Sequence, residues 1–148
     1  MKERDFIPFV KFGLIEFSAH YTDVRRLLNA PFEARRFDAT SVTFSDYFDT
    51  LGFKIEYDKE NKVLAIETFN DMGNPIYFMS KNLADMTYAQ LKRFFKKHDP
   101  DIAPFSIGFH SEKFELSVCY TNFEDEPNGK TDSFHIRRKD YVAVMNTL

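Results

Sequence analysis

Tryptophan is absent from this 148-residue sequence, cysteine occurs once, and glycine occurs only 5 times. The single thiol, Cys119, excludes an intramolecular disulfide and leaves no partner for a redox pair or a cysteine-based metal motif. It reads as an ordinary interior strand residue. There is no glycine-rich phosphate loop, no G-x-S-x-G elbow and no H-E-x-x-H pair. His20, His98, His110 and His135 fall at spacings that match no local metal motif, so neither a metal nor a cofactor is expected. Asp46 and Asp49 have the chemistry of an acid–base pair, but at a strand end they read as a solvated edge, and no catalytic residue is assigned. No stretch approaches ~18 uninterrupted apolar residues, so no membrane span is expected. The segment Met1-Lys2-Glu3-Arg4-Asp5 carries acids and lacks a following apolar run, which does not fit a secretory signal; the expectation is a cytoplasmic protein.

What the sequence holds in excess is aromatic: 18 phenylalanines and 7 tyrosines, 17% of the chain with Trp 0. Two readings follow, a phenylalanine-rich β core or a set of exposed rings that bind a partner. Hydrophobic residues at 43% and charged residues at 29% fit a globular chain. The length fits one domain, 1–148, or two structural halves, 1–70 and 71–148, sharing a core. A net charge of −3 is too mild to steer toward nucleic acid. The basic sets Arg25-Arg26, Arg35-Arg36, Lys92-Arg93-Lys96-Lys97 and Arg137-Arg138-Lys139 are interleaved with 23 acids and read as solvated faces.

The plainest local signal is a β-hairpin. Phe53, Ile55 and Tyr57 alternate with Lys54, Glu56 and Asp58, which gives one apolar and one wet face. A polar turn, Asp58 to Asn61, leads into Lys62 to Phe69. A weaker copy lies downstream, where Phe114, Leu116, Val118 and Tyr120 alternate with Glu115, Ser117 and Cys119 before a return strand at Phe134 to Arg137. The same unit is therefore expected twice. Ahead of the first hairpin, Phe9 to Phe17 reads as a short leading strand or extended arm. A helix follows, with Thr22 as its cap, Asp23 in its first turn, Val24, Leu27 and Leu28 inward, and Asn29-Ala30-Pro31 ending it. Two short strands are expected at Ala34–Ala39 and Ser41–Phe48.

Asn70-Asp71-Met72-Gly73-Asn74-Pro75 is the densest cluster of breakers and marks the boundary between halves. Ile76 to Met79 would mirror the N-terminal arm. Thr87 with Gln90 three residues later is a capping box, and Leu91, Phe94 and Phe95 form the inward stripe of a second helix that stops at Asp99-Pro100. Ile102 to Phe109 reads as a loop or weak strand. Tyr141, Val144, Met145 and Leu148 have the spacing of a short closing helix. This order predicts an α+β fold with helices on one face of an antiparallel sheet, in two similar helix-then-strands halves.

The run Lys11-Phe12-Gly13-Leu14-Ile15, the run Asp23-Val24-Arg25-Arg26-Leu27-Leu28-Asn29-Ala30-Pro31, and Gly52-Phe53-Lys54-Ile55-Glu56-Tyr57-Asp58 resemble the β-lactamase-inhibitor-protein architecture and related small bacterial domains. There a helix ending in V-x-x-x-L-G-x-P precedes a strand meander. Here Asn29-Ala30 stands in place of the usual Leu-Gly before Pro31, and the resemblance covers residues 10–69. It implies non-enzymatic protein binding, similar in character to immunity proteins that neutralise bacterial toxins, with a cognate toxin domain as partner; no binding residue carries over by motif. From the residues themselves, the acidic segment Phe123-Glu124-Asp125-Glu126, taken with Tyr47 and Tyr120 as exposed tyrosines, combines aromatic anchors with charge and is the candidate partner site. The alternatives are a small-ligand-binding or enzymatic domain with a pocket between sheet and helices, and a structural homodimer.

Overall fold

A computed structural model describes residues 4–71 and 74–148. Met1, Lys2 and Glu3, and with them the start of the segment that does not fit a secretory signal, lie outside the described residues. So do Met72 and Gly73, at the centre of the expected boundary.

The first half opens with three two-residue strands, β1 (Phe6–Ile7), β2 (Lys11–Phe12) and β3 (Ile15–Glu16), which pair as a small antiparallel sheet. The expected single arm over Phe9 to Phe17 is instead folded back on itself. Phe9 and Gly13 sit at φ +69° and +60°, and these left-handed residues reverse the chain twice. Helix α1 (Tyr21–Leu28) is followed by β4 (Glu33–Arg35), β5 (Ser45–Phe48), β6 (Phe53–Tyr57) and β7 (Val63–Phe69). The second half repeats the plan: β8 (Tyr77–Phe78) and β9 (Lys81–Asn82) form a two-stranded sheet, then come α2 (Tyr88–His98), β10 (Ala103–Phe105), β11 (Gly108–Ser111), β12 (Leu116–Cys119) and β13 (Ser133–Arg137). A short helix, α3 (Tyr141–Met145), closes the chain.

Each half is thus a small sheet, a helix and a four-stranded meander. The last strands of the two meanders, β7 and β13, pair antiparallel and join them into one eight-stranded sheet, β10-β11-β12-β13-β7-β6-β5-β4. The expected hairpins are present in both halves. The cap residues are also placed alike: a β-bridge ties His20 to Lys62 and another ties Thr87 to Lys130, so each helix start is fastened just ahead of the last strand of its own half.

The two caps differ in chemistry. Thr87 and Gln90 form the expected capping box. In α1 the cap is not Thr22 but His20, whose Nδ1 accepts from the Thr22 N–H at 3.2 Å. Thr22 lies inside the helix because the bridge to Lys62 fixes the chain two residues earlier. Of the expected inward stripe, Val24 is buried and Leu28 half-buried, while Leu27 is exposed. The two expected strands before the hairpin are shorter than drawn, since residues 36–44 form a loop.

The sheet's apolar face carries Phe48, Phe53, Ile55, Ile66, Phe109, Leu116, Val118, Phe134 and Ile136, all buried, and α1 and α2 lie against it. The phenylalanine-rich core is real: Phe78 stacks on Phe95 at 5.7 Å, and Phe95 in turn contacts Phe109 and Phe114. Such pairs add ~0.5–1.5 kcal/mol each beyond their burial. Gly52 turns the chain between β5 and β6 at φ +75°, a left-handed conformation that favours glycine, and a Cβ there would have to displace the Asn74 side chain, whose Nδ2 lies 1.8 Å from its position. The sheet's two edges are β4 and β10.

Candidate functional site

The second face of the sheet is polar. Successive residues of a strand point to opposite faces, so the partners of the core residues line up here in rungs. One rung crosses all eight strands and reads, from β4 to β10, Glu33, Tyr47, Lys54, Glu67, His135, Ser117, His110 and Ala103. The next holds Arg35, Ser45, Glu56, Ala65 and Arg137.

Toward the middle of the sheet these side chains are partly buried and pair with one another. Lys54 Nζ lies 3.4 Å from Glu67 Oε1, and the Ser133 hydroxyl donates to Glu67 Oε2 at 2.7 Å. His135 Nε2 is 2.7 Å from Glu56 Oε2. Burial works against the Glu56 carboxylate, but the hydrogen bond and charge of His135, with Lys54 and Arg137, outweigh it and hold its pKa below the ordinary value. Burial likewise works against the Lys54 ammonium, and Glu56 and Glu67 reverse the effect, raising its pKa. At the other end of the face, Arg137 Nε lies 3.2 Å from Glu115 Oε2, and its Nη2 is 3.0 Å from His110 Nδ1. Burial and then the Arg137 charge push His110 down to about 4, so the ring is neutral and accepts from the guanidinium. Glu115 is pushed up by burial despite Arg137, and burial also raises the Cys119 thiol, which suits an inert residue.

Helix α3 packs on this polar face. The Tyr141 ring lies 5.5 Å from that of His135, and the Arg137 guanidinium stands 4.8 Å over it. Between the end of α3, the β4–β6 part of the sheet and the 36–44 loop is a cleft of about 710 Å³. Its floor is Ser45, Tyr47, Lys54 and Glu56; its walls include Arg36, Phe37, Val42, Met145 and Leu148. The loop is shaped by Asp38, whose Oδ1 accepts from the Thr40 N–H at 2.8 Å and the Thr40 hydroxyl at 2.7 Å. These bonds lower the Asp38 pKa and leave Phe37 outside the turn, 96% exposed.

The residues expected to bind a partner do not gather in one place. Tyr47 is half-buried on the polar face, with the Arg35 guanidinium 4.1 Å over its ring. Tyr120, expected to be exposed, is buried on the opposite, apolar side against Tyr88, which it meets at 5.6 Å. The reason lies in the strand alternation, which sets Tyr120 in phase with Leu116 and Val118. Phe123 is half-buried on the same Tyr88 ring at 5.4 Å. Glu124, Asp125 and Glu126 are exposed. Their loop also supports α2, because the carbonyls of Gly129 and Pro127 accept from the N–H groups of Tyr88 and Ala89, which the first turn of that helix would otherwise leave unpaired. Sequence reasoning missed Arg36, Phe37 and Val42 by assigning 34–39 and 41–48 to strands. The polar run Asp38-Ala39-Thr40-Ser41 was the available sign of a turn.

Among the described residues no group of three or more His, Cys, Asp or Glu side chains is placed to hold a metal ion, and no helix is long and apolar enough to cross a membrane. No protein-family model matches the sequence, and searches of curated proteins and of solved structures give no significant match.

Proposed function

We propose that the chain is a non-catalytic protein-binding domain and, in its specific form, an immunity protein that binds and neutralises a toxin domain. The observation that carries the reading is Phe37, almost wholly exposed near the start of the 36–44 loop, with Val42 lining the same cleft and Arg35 and Arg36 just before it. A ring left in water forgoes ~1.5–3 kcal/mol of burial, which a partner surface recovers. Aromatic and arginine side chains are what interface hot spots are built from. The resemblance over residues 10–69 supports the same class, and the toxin as partner rests on it.

The test is binding kinetics of the purified chain against the product of the neighbouring gene. Wild type is expected to bind, and Phe37→Ala to lose ~2 kcal/mol, about thirtyfold in Kd, mainly through faster dissociation. Glu124→Lys/Asp125→Lys in the same assay tests the acidic segment and is expected to slow association if that segment steers the partner. No binding by wild type would sink the reading.

The cleft favours a second reading, a small-ligand-binding domain, since its volume lies within the roughly 300–1,000 Å³ of ligand pockets. A small molecule that raises the melting temperature of wild type but not of a cleft variant would move the assignment there.

A further inference from the structure

We infer that the cleft beside the 36–44 loop takes an acidic segment of a protein partner, its carboxylates on Arg35, Arg36 and Lys54 and an apolar side chain between Phe37, Val42, Met145 and Leu148. The inference rests on the protein-binding reading above and names the chemistry of what is bound.

Charge decides the sign. Three cations line the cleft against one acid, Glu56, and Glu56 is already engaged by His135. The Arg36 guanidinium donates to the Ser41 carbonyl at 2.8 Å and meets no carboxylate among the described residues. Arg35 pairs with Glu33, but both are exposed, and such a pair exchanges readily for another carboxylate. Lys54 keeps its charge because Glu56 and Glu67 flank it. With Glu56 and Glu67 offsetting Lys54, the attraction for an incoming carboxylate comes chiefly from Arg36 and Arg35 at the rim of the cleft.

The walls decide the rest. Phe37, Val42, Met145 and Leu148 are all exposed large apolar residues, and all four face this one cleft. Carboxylates alone would leave them in water; a segment with an apolar residue among its acids covers them. Single-stranded nucleic acid would need a longer cationic track and a stacking platform. Here the cations number three, and of the three rings in the lining Phe44 and Tyr47 are half-buried and Tyr47 is already covered by Arg35, which leaves Phe37 alone to stack.

The probe is a short fluorescein-labelled peptide that alternates Asp or Glu with Leu or Phe. Its controls are an isostere with every acid replaced by its amide and a short oligouridine, all measured by anisotropy at ~50 and ~300 mM salt. The acidic peptide is expected to bind, more weakly at the higher salt, and to shift the NMR signals of residues 35–44 and 145–148. The amide isostere should bind at least about tenfold more weakly. Arg36→Glu and Phe37→Ser should each weaken the acidic peptide about tenfold or more while leaving the melting temperature unchanged, as expected for exposed loop residues. Equal binding by the isostere, tighter binding by oligouridine, shifts confined to other residues, or no binding overturns the inference. If the neighbouring gene's product binds wild type and both variants alike, the protein-binding reading stands and this site falls. If that product fails to bind while the acidic peptide seats in the cleft, the choice of partner falls and the cleft assignment stands.

Discussion

Arg25 reaches from α1 to grip Asp46 on β5 at two points, Nε to Oδ2 at 2.8 Å and Nη2 to Oδ1 at 2.7 Å. Asp46 is fully buried, and the Tyr57 hydroxyl donates to its Oδ2 at 2.9 Å. The guanidinium lies 4.2 Å over Phe32 and 4.5 Å over Tyr21, so the pair locks α1 onto the sheet. Burial, followed by the Asp46 charge, raises the Tyr57 pKa and keeps its phenol protonated.

Asp46→Ala is accordingly expected to cost about 2–4 kcal/mol, less than a fully enclosed pair because a quarter of the Arg25 side chain reaches water. Asp46→Asn, which keeps the shape and one acceptor, should cost less. Urea unfolding reads both, and a loss below ~1 kcal/mol for the alanine variant would show that the grip adds little to stability.

Thr68 is buried between Phe53 and Phe134 in the register, and its hydroxyl has no hydrogen-bond partner among the described residues. Valine has the same shape without the desolvated oxygen. Thr68→Val should therefore stabilise by ~1 kcal/mol and raise the melting temperature; a lower one would mean the hydroxyl is satisfied.

His110 gives the fold a pH dependence whose sign is fixed by its surroundings. Its pKa falls from 6.5 to about 4 on folding, so between those values the unfolded chain binds a proton that the folded chain refuses. The stability is fully present above about 6.5 and declines as pH drops toward 4. After a discount for partial exposure the loss is on the order of 1–2 kcal/mol. Melting curves across that window should slope for wild type and flatten for His110→Asn, with Arg137, Glu115 and Asp99 left in place. Parallel slopes would assign the dependence to another group.

Thr87→Ala removes the hydroxyl that accepts from the Gln90 N–H, leaving only the backbone half of the capping box, and should cost ~1 kcal/mol, whereas His20→Ala removes an exposed ring that bonds only Thr22, through its N–H and its hydroxyl, and should cost less. Thermal melts of the two variants give the order, and a reversed order would mean that the two helices contribute unequally to the fold.

A fragment of residues 1–70 should be unfolded or aggregated. It would end on β7 with one side open, because Ile66 stands opposite Ile136 and Glu67 opposite His135 across the junction of the two halves. A well-dispersed NMR spectrum from the fragment would show that each half folds unaided.

The β6–β7 hairpin and α2 were legible because their signals are local: a period of two in Phe53, Ile55 and Tyr57, and a cap three residues from its reciprocal glutamine. Asp46, read as a solvated edge, is instead buried on the apolar side in phase with Phe48, and it is this that puts Tyr47 on the polar face. Tyr120 was misjudged against a pattern that already put it with Leu116 and Val118. His20 as cap was not legible, since the helix start depends on Lys62 far along the chain, whereas the bared Phe37 follows from the local Asp38–Thr40 turn, whose sign was present in the sequence. The pairing of β7 with β13 joins strands from opposite halves of the chain, and nothing in either strand names the other.

The edges of the sheet carry one last consequence. An eight-stranded open sheet presents two outer strands to every other copy in solution, and stacking edge on edge would turn separate molecules into a fibre. At β10 the middle residue is Pro104, which has no N–H to offer an incoming strand. At β4 the three residues are Glu33, Ala34 and Arg35, short and charged on both sides of the centre. Both ends of the sheet thus work against growth, one through a missing donor and the other through charge.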